Sequence, residues 1–194
     1  IMAYEFEIFC NDCRNAYDPT NGKANLETIR QNLEKLLQSN QKFVEKECGP
    51  HVECGVHEIY RDPERGFIVY AHIPEKGRTS PPHDHGASWA IYGQTKKFTD
   101  MTEYRRLDDG LQDDYAKIET SKQYRLIPGM VGKFGPHEIH QISFEDGARF
   151  VRITGSDLFV ENTLVYDLES DTVKTVGEST PDDESKTVPN TKTS

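Results

Sequence analysis

The hydrophobic residues in the first part of the chain recur with the period of a helix. They lie three or four positions apart, on one helical face: Leu26, Ile29, Leu33, Leu36 and Leu37. Asn25 is a suitable N-cap, and the Cys-Gly-Pro sequence at 48–50 ends the pattern. We therefore predict a helix from Leu26 to about residue 47. Its apolar stripe is expected to pack on the next domain, with a partner protein as the alternative.

From about residue 52 to residue 167, the hydrophobic period changes to two, the period of a half-buried strand. Turn pairs such as Pro128-Gly129 and Asp146-Gly147 separate the runs. Ten strands are predicted: Val56–Arg61, Phe67–Ile73, Ser88–Gly93, Phe98–Arg106, Tyr115–Thr120, Gln123–Ile127, Met130–Phe134, Ile139–Phe144, Ala148–Thr154 and Thr163–Tyr166. Short strands with no helical pattern between them are typical of a β-sandwich or small barrel.

The chain therefore divides into three parts. Residues 1–50 form an N-terminal helical segment, 51–168 a mainly β barrel domain, and 169–194 a polar tail. The tail is rich in Ser, Thr, Asp, Glu and Pro and has almost nothing apolar, so it is expected to be disordered or to lie along the barrel or an adjacent subunit.

Composition narrows the classes of function. The chain has 194 residues, including 9 Phe, 9 Tyr and 1 Trp, which is enough aromatic area for one core. Its net charge of -10 disfavours a nucleic-acid or anionic-membrane binder, because both need a basic face. There is no long apolar run and no signal-peptide pattern, so we expect a cytoplasmic protein that does not span a membrane.

The four cysteines carry a weaker signal. Cys10 and Cys13 form a C-x-x-C pair, but Cys48 and Cys54 are spaced more widely than a usual zinc knuckle. The region also lacks the βαβ context of a redox motif. We expect four reduced thiols, with zinc binding or redox chemistry as the alternative.

Histidines carry the strongest chemical signal. The segment 81–86, Pro-Pro-His-Asp-His-Gly, places His83 and His85 two residues apart, so an extended backbone points both imidazoles into one cavity. His140, at the start of a predicted strand, can supply a third imidazole, and His137 competes for that position. Imidazole binds Fe²⁺, Ni²⁺, Cu²⁺ and Zn²⁺, so the residues predict a metal site without selecting the metal.

These motifs resemble the cupins, the double-stranded β-helix proteins, and more narrowly the thiol dioxygenase branch with the cysteine and 3-mercaptopropionate dioxygenases. The resemblance covers roughly residues 52–167 and rests on the segments 77–93, 104–106, 128–140 and 155–159. It implies a mainly β cupin jelly roll with an N-terminal helical arm. It also implies a three-histidine Fe²⁺ site at His83, His85 and His140, with Ni, Zn, Mn or Cu as alternatives, and O2 as co-substrate.

The chain also departs from the patterns of these relatives. Many cupins place a glutamate ligand where this chain has Trp89 or Ala90, and some cysteine dioxygenases have a cysteine at the latter position. The branch's Ser-His-Tyr triad aligns with Phe150, Arg152 and Thr154. The arginine that binds the substrate carboxylate on an early strand aligns with His57. The resemblance thus leaves the substrate open.

Three neutral imidazoles leave the metal charge uncompensated, which favours a small anionic substrate. Arg152 is the predicted carboxylate clamp, because the resemblance places its strand parity inside the barrel and a buried guanidinium needs an anion. The alternative is that it pairs with an internal Asp or Glu, or that its neighbours face inward instead. The other assigned substrate-binding residues are His57, Tyr70, Tyr92 and Trp89, with Arg105, Arg106 and Tyr104 as weaker candidates.

The function expected from these features is dioxygenation of a small thiol carboxylate to its sulfinate. The alternatives are another metal-dependent cupin reaction, such as ring or C–C cleavage, isomerisation or lyase chemistry, and a cupin that binds a ligand without catalysis. A homodimer is compatible with the open sheet edges expected of this fold.

Overall fold

The computed structural model describes residues 3–158 and 160–177, in which three helices precede eleven strands. The helices are α1 (Phe6–Asn15), α2 (Leu26–Ser39) and α3 (Gln41–Cys48). The strands are β1 (Gly55–Arg61), β2 (Ile68–Ile73), β3 (Arg78–Thr79), β4 (Ala90–Lys96), β5 (Thr99–Arg106), β6 (Ile118–Leu126), β7 (Val131–Phe134), β8 (Ile139–Phe144), β9 (Arg149–Thr154), β10 (Thr163–Asp167) and β11 (Thr172–Val176). Among the described residues, no helix is long and apolar enough to cross a bilayer.

The predicted single helix from Leu26 is two helices, separated at Asn40. As predicted, Asn25 caps the first by accepting a hydrogen bond from the Thr28 amide at 3.1 Å. Asn40 leaves the helical conformation, and its side chain accepts from the Phe43 amide at 2.9 Å to cap α3. Its amide group also donates to the Tyr4 carbonyl at 3.0 Å. The break therefore depends on a contact with the distant N-terminal segment.

Two antiparallel sheets face one another. One has the strand order β1-β2-β9-β4-β7 and the other β3-β8-β5-β6, while β10 and β11 form a separate hairpin. From β2 to β9 the chain passes from one sheet to the other at every connection except the one between β5 and β6. This arrangement confirms the predicted fold class, a mainly β double-stranded β-helix with helices at its N-terminal end.

The five-stranded sheet is buried on both faces. Its outer face carries Ile91, Val151 and Ile153, which pack with the helices in one hydrophobic core. Its inner face carries Tyr92 and Phe150, which pack with residues of the four-stranded sheet in a second core. Because successive side chains of a strand alternate between faces, a one-residue difference decides which core a side chain enters.

Two predictions, one for a pair of strands and one for the polar tail, need correction. The predicted strands Tyr115–Thr120 and Gln123–Ile127 form one continuous strand, β6. This strand lies at a sheet edge, and the residues in its middle are polar and exposed. The segment assigned to the polar tail contains β11, which pairs with β10 through the backbone and needs little apolar area to do so. The remainder of that segment, residues 178–194, lies outside the described residues.

The four cysteines are free; Cys54 is exposed, and the other three are buried. Burial is the main cause that raises the thiol pKa of Cys10 to about 12 and of Cys48 to about 11, and it raises the pKa of Cys13 further. These three thiols therefore stay protonated, and unreactive as nucleophiles, at neutral pH.

Replacing Asn40 with alanine should destabilise the protein more than replacing Asn25. Asn40→Ala removes a helix cap and leaves the buried Tyr4 carbonyl without its donor, so we expect a loss of about 2–3 kcal/mol. Asn25→Ala removes only an exposed cap and should cost about 1 kcal/mol. Urea unfolding of both variants measures the difference. Equal losses would show that the Tyr4 contact contributes nothing.

Candidate metal centre

Backbone pairing brings two of the predicted metal ligands together. His83 lies between β3 and β4, and its amide donates to the His140 carbonyl at 2.9 Å, while the His140 amide returns an equal bond. Residues paired in this way project their side chains to the same face. His85, two residues after His83, adds a third ring on that face.

The three imidazoles form a compact, fully buried group. Ring centroids are 4.5 Å apart for His83 and His140, 4.9 Å for His85 and His140, and 5.2 Å for His83 and His85. All three residues are 0% exposed, and their ligand atoms lie within 4.8 Å of one another. In the described part of the chain, they form the one group of His, Cys, Asp or Glu residues with the geometry to hold an ion.

Neighbouring groups orient the rings of this cluster. His83 Nδ1 lies 2.9 Å from the Pro81 carbonyl, which can only accept, so Nδ1 carries the proton of this hydrogen bond. His140 Nδ1 makes a longer contact of 3.5 Å with the Glu138 carbonyl. The Phe134 ring stacks on the His140 ring at 3.8 Å, with 12° between their planes. No pattern in the sequence indicated this last contact.

Asp84 lies between His83 and His85, but its side chain turns away from their rings. Its carboxylate accepts from the Gly86 and Leu164 amides, both at 3.0 Å, and so joins the His83–His85 segment to β10. Gly86 has φ of 58°, and a Cβ there would clash with the Asn162 carbonyl. A glycine is therefore required immediately after His85.

The two candidates for the third position, His137 and His140, lie in different surroundings. His137 is exposed, has φ of 61°, and uses its amide to hold the Gly86 carbonyl at 2.9 Å. Its side chain is outside the cluster, where His140 takes the third place. In the sequence, His140 is distinguished from His137 because it lies at the start of the predicted strand Ile139–Phe144, whereas His137 lies in the turn before it.

Arg152 lies on the inner face of the five-stranded sheet, as its parity predicts. It is fully buried, and its backbone register places it opposite Tyr70 on β2 and Tyr92 on β4. Its guanidinium carbon is 5.6 Å from the centre of the Tyr70 ring. Burial is the main cause that raises the Tyr70 pKa to about 12; the Asp157 charge adds to this shift, and Arg152 opposes it.

Tyr92 connects this row to the histidines. Its hydroxyl and His85 Nε2 are hydrogen-bonded at 3.2 Å, and its ring lies 5.9 Å from that of His140. The inner face thus carries, side by side, a buried cation, two phenols and the three imidazoles.

Two predicted site residues lie on the other face of the sheet. His57 is opposite Ala71, a residue of the helix-side core, and its Nε2 lies 2.8 Å from the Glu53 carbonyl. Trp89 packs in the same helix-side core and closely covers Gly155. The physical reason is strand parity, since Trp89 and Ala90 must face opposite ways. Counting positions back from His83 could not show which way His57 faces.

The weaker arginine candidates also lie apart from the histidines. Arg105 is exposed and pairs with Glu119, while Arg106 pairs with Asp108 at 2.8 Å. Their charges are therefore engaged with nearby carboxylates.

Comparisons with known proteins found no matching family model and no matching curated protein. Solved structures similar to this chain include KdgF from Halomonas sp., 17% identical over 53% of this chain and 82% of that chain, with a TM-score of 0.36. A cupin superfamily protein from Desulfitobacterium hafniense is 15% identical over 53% and 76%, with a TM-score of 0.35. Hydroquinone 1,2-dioxygenase from Sphingomonas sp. is 10% identical over 57% and 71%, with a TM-score of 0.41.

Replacing Trp89 with alanine tests the correction to its placement. Since Trp89 packs between sheet and helices, Trp89→Ala should cost about 3–5 kcal/mol of folding stability. The folded fraction should still bind Co²⁺ with unchanged stoichiometry. Urea unfolding and Co²⁺ titration measure the two effects. If the folded variant no longer bound Co²⁺, the result would contradict this placement and show that Trp89 contributes to the metal centre.

Proposed function

We propose that the protein is a three-histidine iron enzyme that uses O2 to oxidise a small thiol carboxylate to its sulfinate. His83, His85 and His140 are the proposed ligands of Fe²⁺. The observation that carries the proposal is the buried group of three imidazoles, with no carboxylate among its members in the described chain.

The donor set fits a divalent transition ion. Imidazole nitrogens bind such ions at about 2.1 Å, which places any two ligand atoms within about 4.2 Å of each other. Small rotations of the three side chains from their present separation, within 4.8 Å, satisfy this requirement. Bound there, a ferrous ion supplies the redox chemistry that joins O2 to a thiolate.

Charge balance favours an anionic substrate. Three neutral imidazoles leave a divalent ion with its full charge in a buried site, where an uncompensated charge is costly. A thiolate compensates part of that charge when it binds. In the overall reaction, a thiol and O2 give a sulfinic acid that contains both oxygen atoms. Sulfur is oxidised and O2 is reduced, so no further reductant is needed.

Arg152 is the proposed anchor for the substrate carboxylate. It is buried on the inner face, in the same row as Tyr92, which contacts His85. A guanidinium binds a carboxylate through two parallel hydrogen bonds, which orients the substrate as well as holding it. Tyr70, on the other side of Arg152, contributes a phenol to the same wall. Anchoring at Arg152 would direct the thiol of a short substrate toward the histidines.

The test is O2 consumption by protein loaded anaerobically with Fe²⁺, measured with cysteine, 3-mercaptopropionate and 2-mercaptoethanol. We expect one sulfinate to form for each O2 consumed, with a carboxylate-bearing thiol as the preferred substrate. Full iron occupancy with no O2 uptake from any thiol would reject the oxidation and favour other cupin chemistry. Failure to retain any metal would reject the metal site itself.

Alanine variants of the three histidines should lose the metal. His83→Ala, His85→Ala and His140→Ala each remove a proposed buried ligand. Loss of a residue that only hydrogen-bonds a ligand lowers metal affinity about 10–100-fold, so loss of a ligand itself should lower it further. Metal analysis and Co²⁺ titration measure the loss, and circular dichroism checks the fold.

The matched control is His137→Ala, which removes an exposed imidazole from the adjoining loop. It should retain metal and activity. A His140→Ala variant with full metal occupancy, together with a metal-free His137→Ala variant, would assign the third ligand to His137.

Arg152→Lys should impair recognition of the carboxylate. Lysine keeps the charge but loses the planar fork, so we expect KM for 3-mercaptopropionate to rise about 30-fold, equivalent to about 2 kcal/mol. Arg152→Ala should be worse, with partial rescue by added guanidinium. Steady-state kinetics and metal analysis measure the effects.

2-Mercaptoethanol is the matched substrate control, because it is a thiol without a carboxylate. Its KM should not change in Arg152→Lys, and neither should the metal content. Equal losses with both thiols would assign Arg152 to the packing of the inner face rather than to recognition.

A further inference from the structure

Thr154, the last residue of β9, carries a buried hydroxyl that the proposed function leaves unused. The residue is 0% exposed. Within the part of the chain that the structure describes, no group hydrogen-bonds its Oγ1 atom. A buried hydroxyl without a partner is costly, and valine would fill nearly the same space without that cost. A ligand that contacts the hydroxyl would explain why threonine stands at this place.

The neighbours of Thr154 show which way its side chain faces. Phe150, four residues earlier on β9, packs in the inner core, so strand alternation puts Thr154 on the inner face as well. The cross-strand partners of Thr154 are Ile68 on β2 and Ala90 on β4. Neither of these side chains has a polar atom, so neither can bond the hydroxyl.

The same row of paired residues leads to the histidines. Ala90 pairs with Phe134 on β7, and the Phe134 ring stacks on that of His140 at 3.8 Å. Because adjacent strands lie about 4.8 Å apart, Thr154 and Phe134 are about 10 Å apart across the sheet. The residue between them in this row is Ala90, which has the shortest side chain of the three. The Thr154 hydroxyl therefore lies across a methyl group from the aromatic ring that contacts the proposed metal ligand.

Arg152 lies in the neighbouring row of the same face. It pairs with Tyr92, whose hydroxyl is hydrogen-bonded to His85. Residues two apart on a strand are separated by about 7 Å, so Thr154 is close to Arg152 on this face. A substrate that extends from Arg152 to the histidines crosses β4 beside Ala90. The middle of such a substrate lies next to the Thr154 hydroxyl.

We propose that the Thr154 hydroxyl selects thiol carboxylates that carry a hydrogen-bond donor, an amino or hydroxyl group, on the carbon next to the carboxylate. The Thr154 oxygen accepts the hydrogen bond from this substituent, and the short side chain of Ala90 leaves room for it. This inference rests on the proposed function, because Arg152 and the histidines hold the two ends of the substrate. It goes further by dividing the thiol carboxylates into two groups that Arg152 alone would treat alike.

Binding of three thiols to Fe²⁺-loaded protein in the absence of O2 tests the proposal. On the carbon next to the carboxylate, cysteine has an amino group, 3-mercaptolactate has a hydroxyl and 3-mercaptopropionate has neither. In calorimetric titrations, wild-type protein should bind the two substituted thiols about tenfold more tightly than 3-mercaptopropionate. Thr154→Val removes the oxygen and nearly keeps the shape, so it should bind all three with Kd values within about twofold of one another.

Thr154→Ser is the matched control, because it keeps the hydroxyl and loses the methyl group. It should retain the preference for the substituted thiols. Urea unfolding of the ligand-free Thr154→Val variant should give a midpoint no lower than that of wild-type protein, since the hydroxyl has no partner among the described residues. A lower midpoint would assign the hydroxyl to the structure of the sheet and overturn the proposal.

The remaining outcomes separate this inference from the proposed function. A preference that survives in Thr154→Val, or equal binding of the three thiols by wild-type protein, would overturn the role of Thr154. Neither result affects the proposed oxidation, which O2 uptake measures. Thiol binding without O2 uptake would reject the oxidation, and the comparison of wild type with Thr154→Val would still decide the role of Thr154. Failure of iron-loaded wild-type protein to bind any of the three thiols would reject both.

Discussion

The pair of backbone hydrogen bonds between His83 and His140 is the constraint on which the site depends. It joins a segment before β4 to the start of β8, and both bonds are 2.9 Å. Once these residues are paired, their side chains must share a face, and His85 follows because it is two residues further along. The Asp84 carboxylate then secures the segment to β10. The gathering of the three rings is therefore a consequence of strand pairing.

Strand parity assigns the two faces of the central sheet to different tasks. Along β9, Val151 and Ile153 enter the helix-side core, while Arg152 between them lies on the inner face, opposite Tyr92. The helices allow the outer face to be hydrophobic, because they bury a surface that would otherwise need polar residues. With both faces covered, the inner face can carry a buried cation and phenols on the same side as the three histidines.

Much of this was predictable from local patterns. Period-two runs and turn pairs predicted the fold class, and the H-x-H spacing with a strand starting at His140 predicted the three-histidine group. The break at Asn40 was not predictable, because the apolar pattern continues through Phe43 and the deciding bond is to Tyr4. His57 and Trp89 were misplaced because alignment by counting does not determine which face a side chain enters. The polar edge strand β6 lacked the apolar alternation that would have marked it as continuous.

The burial of both sheet faces also has an evolutionary consequence. Neighbouring residues such as Ile91 and Tyr92 experience different selection, the first for packing under the helices and the second for the groups around the histidines. A lineage could replace every second residue of β4 or β9 and change its chemistry while the alternate residues preserved the fold. Close relatives of this chain would then share an alternating pattern of constancy and drift along a single strand. Positions 90, 92 and 152 would then vary independently of their neighbours under the helices.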